Sequence, residues 1–149
     1  MLYKENKPKV GALDPENRLI VMTGPYTGTF GSFTGFYNVT TKSPLTGAIL
    51  SAHSGGHWAP LFRKTGYDGI VFTGRARDPS YLLLTDSGPE VKDASTLWGK
   101  DVFETTRALR GMHPDARSIV IGPAGERKVL YAAMMNDLHR AAGRGGVGA

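Results

Sequence analysis

Cysteine is missing from all 149 residues. That excludes disulfides, thiolate zinc sites, thiol nucleophiles and cysteine-held iron–sulfur clusters within this chain. Long apolar runs are missing as well. Nothing approaches the roughly 18 consecutive apolar residues of a membrane span, and no N-terminal apolar stretch resembles a signal peptide. These absences fit a cytoplasmic protein with no membrane partner. Acidic residues are outnumbered, giving a net charge of +5. The basic residues are scattered, without a block of about five or six, which reads as a solvated surface. No face interleaves aromatics with basic residues, so a nucleic-acid partner is not expected. No catalytic constellation is evident either. Ser43, Ser51 and Ser54 lack a nucleophile-elbow context, and Glu90, Asp93, Asp101, Glu104, Glu126 and Asp137 are spread over solvent-like positions.

Glycine is abundant: 20 of 149 residues, against roughly 7% on average. The glycines fall at turns and in clusters without a period, which excludes collagen-like and low-complexity readings. The length suits one domain. Residues 1–12 read as a disordered lead-in, part of a polar stretch with Pro8, Gly11 and Pro15. Strands are expected at Leu19–Met22, Phe36–Thr41, Ala48–Ala52, Gly69–Thr73 and Ser118–Ile121, each an apolar or alternating run bounded by turn residues. Tyr81–Thr85 and Glu90–Lys92 flank Asp86-Ser87-Gly88 as a hairpin. His57–Lys64 suits one or two helical turns, with Pro60 tolerated in the first. Asp101–Arg110 is the clearest helix: Asp101 and Glu104 form a capping box, and Val102, Phe103, Thr106 and Leu109 share its inward face. A second helix is expected over Lys128–His139. Strands outnumber helices in irregular order, which points to an α+β fold with mixed β-sheets and a few short helices.

Two segments carry possible chemistry. His53 and His57 have the spacing of metal ligands on a helix, but Ser54-Gly55-Gly56 between them opposes a helix, and no carboxylate lies near. A structural role is the stronger reading. The C-terminal segment Arg140-Ala141-Ala142-Gly143-Arg144-Gly145-Gly146-Val147-Gly148 combines glycines, which permit close approach, with arginines, whose forks fit phosphate. It is neither a dinucleotide fingerprint nor a P-loop. Taken alone, it reads more readily as a flexible loop than as an anion cradle.

Several motifs in series shift that balance. They are Asp14-Pro15-Glu16-Asn17-Arg18-Leu19-Ile20, Thr23-Gly24-Pro25, Tyr37-Asn38-Val39, Ser43-Pro44-Leu45-Thr46-Gly47, Ser54-Gly55-Gly56, Lys64-Thr65-Gly66-Tyr67-Asp68-Gly69, Leu97-Trp98-Gly99-Lys100, Ile121-Gly122-Pro123-Ala124-Gly125-Glu126 and Asn136–Ala149. In this order, over about residues 12–149, the chain resembles the N-terminal domain of the aldehyde:ferredoxin oxidoreductases, truncated at both ends. The resemblance implies a tungsten (or molybdenum) bis-pyranopterin, with magnesium linking the pterin phosphates. It implies oxidation of aldehydes to carboxylates, with ferredoxin as electron acceptor. By analogy, the backbone carbonyls of His53 and Ala141 reach magnesium, while Ser54, Gly55, Arg140, Gly143 and Arg144 line the pterin and phosphate groups. Phe36 stands where the family commonly has Arg, and His53 where Asn is common. The [4Fe–4S] cluster is expected in other domains of the oxidoreductase or in a separate chain, so this chain alone is expected to be inactive. A homo-oligomer is compatible with these features. The alternative is a non-catalytic remnant or interaction module that keeps the fold without the cofactor.

Overall fold

The computed structural model describes residues 2–149. The chain forms α1 (Leu2–Glu5), β1 (Leu19–Thr23), β2 (Tyr37–Lys42), β3 (Ile49–Ser54), α2 (Trp58–Lys64), β4 (Gly69–Phe72), β5 (Ser80–Thr85), β6 (Gly88–Asp93), α3 (Val102–Met112), β7 (Ile119–Val120), α4 (Pro123–Glu126), β8 (Met134–Asn136) and β9 (Arg140–Ala142). The strands make a four-stranded sheet in the order β3-β2-β1-β4, the hairpin β5-β6 and a three-stranded sheet β7-β8-β9. The α+β class holds, and every described pairing is antiparallel.

The main sheet follows from alternation. In β2 the side chains of Tyr37, Val39 and Thr41 are buried, while their neighbours are only partly so. Val39 pairs with Val21 on β1 and Ala52 on β3, so one apolar row crosses three strands. That row meets Ala59 from α2, and Ala142 and Val147 from the C-terminal segment, forming the core. Covering one sheet face this way leaves the other free to be more polar, as antiparallel sheets allow. A cavity of about 390 Å3 lies beside this core, lined by Leu82, Leu84, Thr105, Leu109 and Ile121 among others.

Two expected elements differ. The lead-in is tied down: Asn6 Nδ2 donates to Asn17 Oδ1 (2.8 Å) and Lys42 Nζ donates to the Val10 carbonyl (2.6 Å). Leu2 in α1 is buried. The helix expected over Lys128–His139 does not form. Lys128, Asp137 and Leu138 all have positive φ, a conformation that interrupts a right-handed helix. The backbone is used otherwise: the Ala132 carbonyl accepts Gly148 N–H (2.9 Å), and Met134–Asn136 pairs with β7 and β9. Helical spacing of Val129, Leu130, Ala133 and Met134 is a weak prior, and tertiary pairing overrode it. In α3 the capping box is present, with Glu104 N–H donating to Asp101 (2.8 Å). Its buried side chains are Thr105 and Thr106, however, and Phe103 points outward beside His139, ring centres 6.0 Å apart.

Gly145, Gly146 and Gly148 are buried, contrary to a flexible loop. Ser43, itself buried, donates to the Gly145 carbonyl (2.7 Å) across 102 residues. A Cβ on Gly145 would overlap Leu50, and one on Gly148 would lie 2.5 Å from the Ala133 carbonyl oxygen. Gly146 has φ +87, and a Cβ there would meet the Leu130 carbonyl and Pro44.

The core has one polar seam. Asn136, almost fully buried, donates from Nδ2 to the Tyr37 hydroxyl (2.8 Å) and to Ser54 Oγ (3.0 Å). Burial holds the Tyr37 phenol above the ordinary tyrosine range, partly opposed by its bonds to Asn136 and Ser54. The folded protein therefore keeps this proton where the unfolded chain has lost it. Stability is unaffected below the ordinary tyrosine value and falls as pH rises from there through the higher folded value.

Two predictions result. Gly146→Ala should destabilise the chain by roughly 2 kcal/mol or more, because strain and overlap act together; an unchanged thermal midpoint would contradict the packing role. Tyr37→Phe should cost about 1 kcal/mol at neutral pH yet flatten the decline in stability above pH about 10. Denaturant melts of both proteins across that range measure it, and parallel declines would count against the buried phenol.

Candidate functional site

The two segments singled out in the sequence lie 80 or more positions apart, and the fold joins them. Ser54 ends β3, and Gly55-Gly56 leads into α2. The three-residue turn Asp137-Leu138-His139 joins β8 to β9, with Asn136 paired to Arg140 and Met135 to Ala141. The turn and the loop meet face to face. Asp137 Oδ2 accepts the His57 backbone N–H at 2.5 Å, and Asn136 reaches Ser54 from the same side.

Gly56 is the closest point. Its φ is +131, and a Cβ would meet the Asp137 carboxylate, Asn136 Oδ1 (2.6 Å) and Arg140 Cδ (2.8 Å). Only glycine suits both the dihedral and the approach. Gly55 lies outside the left-handed region, and a Cβ there would sit 3.3 Å from the Phe36 ring. Gly56, rather than Gly55, is therefore the conformationally demanding glycine of this loop. Nothing in the sequence distinguished it, because the carboxylate that crowds it comes from residue 137.

Phe36 is about half exposed, with its ring edge over Gly55. His53 is exposed on β3, paired with Asn38, whose Nδ2 lies 3.3 Å from His53 Nε2. Ser54 is buried and serves the polar seam. Arg140 and Ala141 are exposed on β9, and Arg144 is exposed with φ 61. Gly143 is partly exposed; a Cβ would lie 3.6 Å from Ala141 Cβ and 3.8 Å from Ala133 Cβ, ordinary contacts. The chain's own packing therefore leaves room for a side chain at Gly143 and none at Gly145, Gly146 or Gly148. His53 and His57 belong to no metal-ligating cluster: among the described residues, no group of three or more His, Asp or Glu side chains converges. Trp58 stacks on Phe62 (centroids 4.8 Å apart) and tilts against Tyr37 (5.1 Å), a core role.

Sequence reasoning named neither Asn136 nor Asp137 as a contact of this loop. Both lie in the segment read as a helix, where neither would face the Ser54–His57 loop. Arg117 Nε, 3.9 Å from Asp137 Oδ1, partly balances the carboxylate. Among the described residues, no helix is long and apolar enough to cross a membrane.

The chain is similar to known proteins along its whole length. The family model described as the N-terminal domain of aldehyde ferredoxin oxidoreductase matches residues 1–149. The tungsten-containing aldehyde ferredoxin oxidoreductase of Pyrococcus furiosus is 50% identical over 151 residues, covering 100% of this chain and 25% of that protein. The WOR-like subunit of an aliphatic sulfonate oxidoreductase from the same organism is 35% identical over 166 residues, covering 100% of this chain and 26% of its own length. Among solved structures, the active-site complex BamBC of benzoyl coenzyme A reductase, in complex with 1,5 dienoyl-CoA, superposes with a TM-score of 0.95 at 36% identity, over 99% of this chain and 23% of that one. The chain thus spans about a quarter of the length of the relatives it matches. Matched along its whole length by that family model, it belongs to the aldehyde ferredoxin oxidoreductase family, of which it represents the N-terminal domain.

Proposed function

We propose that residues 1–149 form one wall of a site for a tungsten (or molybdenum) bis-pyranopterin, with magnesium between its phosphates, in an oxidoreductase that converts aldehydes to carboxylates. The observation that carries this reading is the junction itself, which sets the Ser54–Gly56 loop against Arg140. Two features of this chain fit such a group. Gly143 is a glycine where neither dihedral nor internal packing demands one, which suits backbone approach to a ligand. Arg140 and Arg144 are exposed, offering planar charged forks to phosphate oxygens.

The relatives add a second line of support. Their names point to different substrates, an aldehyde, an aliphatic sulfonate and a coenzyme A thioester, over one shared domain. A domain that persists while the substrate changes serves what the enzymes have in common. When bound, the tungsten centre supplies the two-electron redox chemistry. The chain's own residues bind and orient: the arginines hold phosphate, His53 and Ala141 offer carbonyl oxygens to magnesium, a hard cation that prefers oxygen ligands, and Ser54 and Gly55 line the pterin. Because the carbonyl belongs to the backbone, His in place of Asn at residue 53 leaves that contact in place. Phe36 removes a charge common in the family and substitutes ring contact over Gly55. Electrons leave through a [4Fe–4S] cluster on other domains or another chain, to ferredoxin, in a cytoplasmic enzyme that is compatible with homo-oligomer formation. The 149-residue chain alone lacks that exit and does not turn over aldehyde.

In a polypeptide carrying the remaining domains, Arg140→Ala and Arg144→Ala should each lower tungsten per chain, since a charged hydrogen bond contributes roughly 1.5–3 kcal/mol. Full tungsten content in both variants would make the arginines surface residues and refute their phosphate role. In the same setting, His53→Asn should retain the metal, while Gly55→Val should lose it by driving a branched side chain into Phe36. The reverse pattern would identify an imidazole ligand and refute the carbonyl assignment.

A further inference from the structure

We infer that Asp137, acting with Asn136, is the positioning residue that sets the gap between the two halves of this site; the inference rests on the cofactor-binding reading above. Each half carries one of the proposed magnesium carbonyls. His53 precedes Ser54, which Asn136 bonds at 3.0 Å. Ala141 follows Arg140, which pairs with Asn136 in the β8–β9 ladder. The separation of the two carbonyls is thus governed by how the hairpin tip sits on the loop.

Asn136 bonds this loop at one point, Ser54. Asp137 supplies the second. Its Oδ2 takes the His57 N–H at 2.5 Å, two residues beyond Gly55. The carboxylate is only 13% exposed, and its partner Arg117 lies 3.9 Å away. The backbone adopts φ 47 at Asp137 and φ 65 at Leu138, the left-handed pair that a tight β8–β9 turn requires. Consecutive non-glycine residues in this region are strained and persist only where surrounding contacts hold them. Gly56 completes the fit, since any Cβ there would strike the same carboxylate. Asp137 does not act as a ligand. A carboxylate beside phosphates would repel them, and this one is turned toward an amide and a guanidinium instead.

The test uses the full 149-residue chain and reads two quantities. One is hydrogen exchange at the His57 amide, with the β5–β6 hairpin as an internal control. The other is affinity for magnesium pyrophosphate, the phosphate probe, by calorimetry. Asp137→Asn keeps an acceptor at the same reach and should behave as the unaltered chain in both. Asp137→Glu keeps the charge but moves the oxygens by one methylene; like Asp137→Ala, it should speed His57 exchange and weaken pyrophosphate binding by about tenfold, the worth of one hydrogen bond, with hairpin exchange unchanged. If Asp137→Glu behaves as the unaltered chain while Asp137→Asn loses affinity, charge matters rather than position and the inference is overturned. Faster exchange with full affinity in Asp137→Ala also overturns it. Arg140→Ala separates the two levels: weakened binding there with none in Asp137→Ala sinks the positioning role alone, whereas unchanged binding in Arg140→Ala, or no binding by the unaltered chain, sinks the cofactor reading beneath it.

Discussion

A single buried carboxamide organises this domain. Asn136 belongs to the small β7-β8-β9 sheet, yet its side chain bonds Tyr37 on β2 and Ser54 on β3 of the main sheet. Apolar contacts between sheets are nondirectional and tolerate sliding, whereas a buried amide with fixed partners does not. Displacing it would strand polar groups away from water, a cost of roughly 1–3 kcal/mol for each. The hydrophobic row Val21–Val39–Ala52 brings the layers together, and Asn136 selects the one alignment in which loop and hairpin meet.

That division explains what was legible in the sequence. The strands of the main sheet could be read because local alternation and local burial agree: Tyr37, Val39 and Thr41 alternate, and they are buried. The β5–β6 hairpin and the α3 capping box were readable for the same reason, since their signals lie within a few residues. Residues 128–139 were not. Their apolar spacing suits a helix, but their structure is dictated by Gly148 bonding Ala132 and by the strands on either side. Gly148 and β7 lie outside any local window, and the β8–β9 turn, Asp137-Leu138-His139, lacks the glycine that would mark a hairpin. Phe103 illustrates a smaller version: its helix was right and Thr106 is buried as expected, but Thr105 rather than Phe103 completes the inward face.

The site was legible in its parts and opaque in its assembly. Ser54-Gly55-Gly56 and Arg140–Arg144 were visible as segments with the chemistry to approach and hold an anion. Their meeting was not visible, because it depends on a carboxylate 80 residues from the amide it accepts. The resemblance to the oxidoreductase family bridged that distance, and Asn136 and Asp137 supply its physical reason.

The glycines of the C-terminal segment separate into two kinds, and the separation bears on how such segments should be read. Gly145, Gly146 and Gly148 are required by the protein's own interior, where Leu50, the Leu130 carbonyl and the Ala133 carbonyl occupy the space of a Cβ. Gly143 meets nothing closer than 3.6 Å and has no dihedral that excludes a side chain. A glycine-rich run therefore need not be a ligand loop throughout. Here the buried glycines weld the segment to the sheet, and that rigidity holds Arg140, Ala141 and Arg144 at fixed places on the surface. The interior glycines make an anchor, and the one unexplained by packing marks where the anchor faces outward.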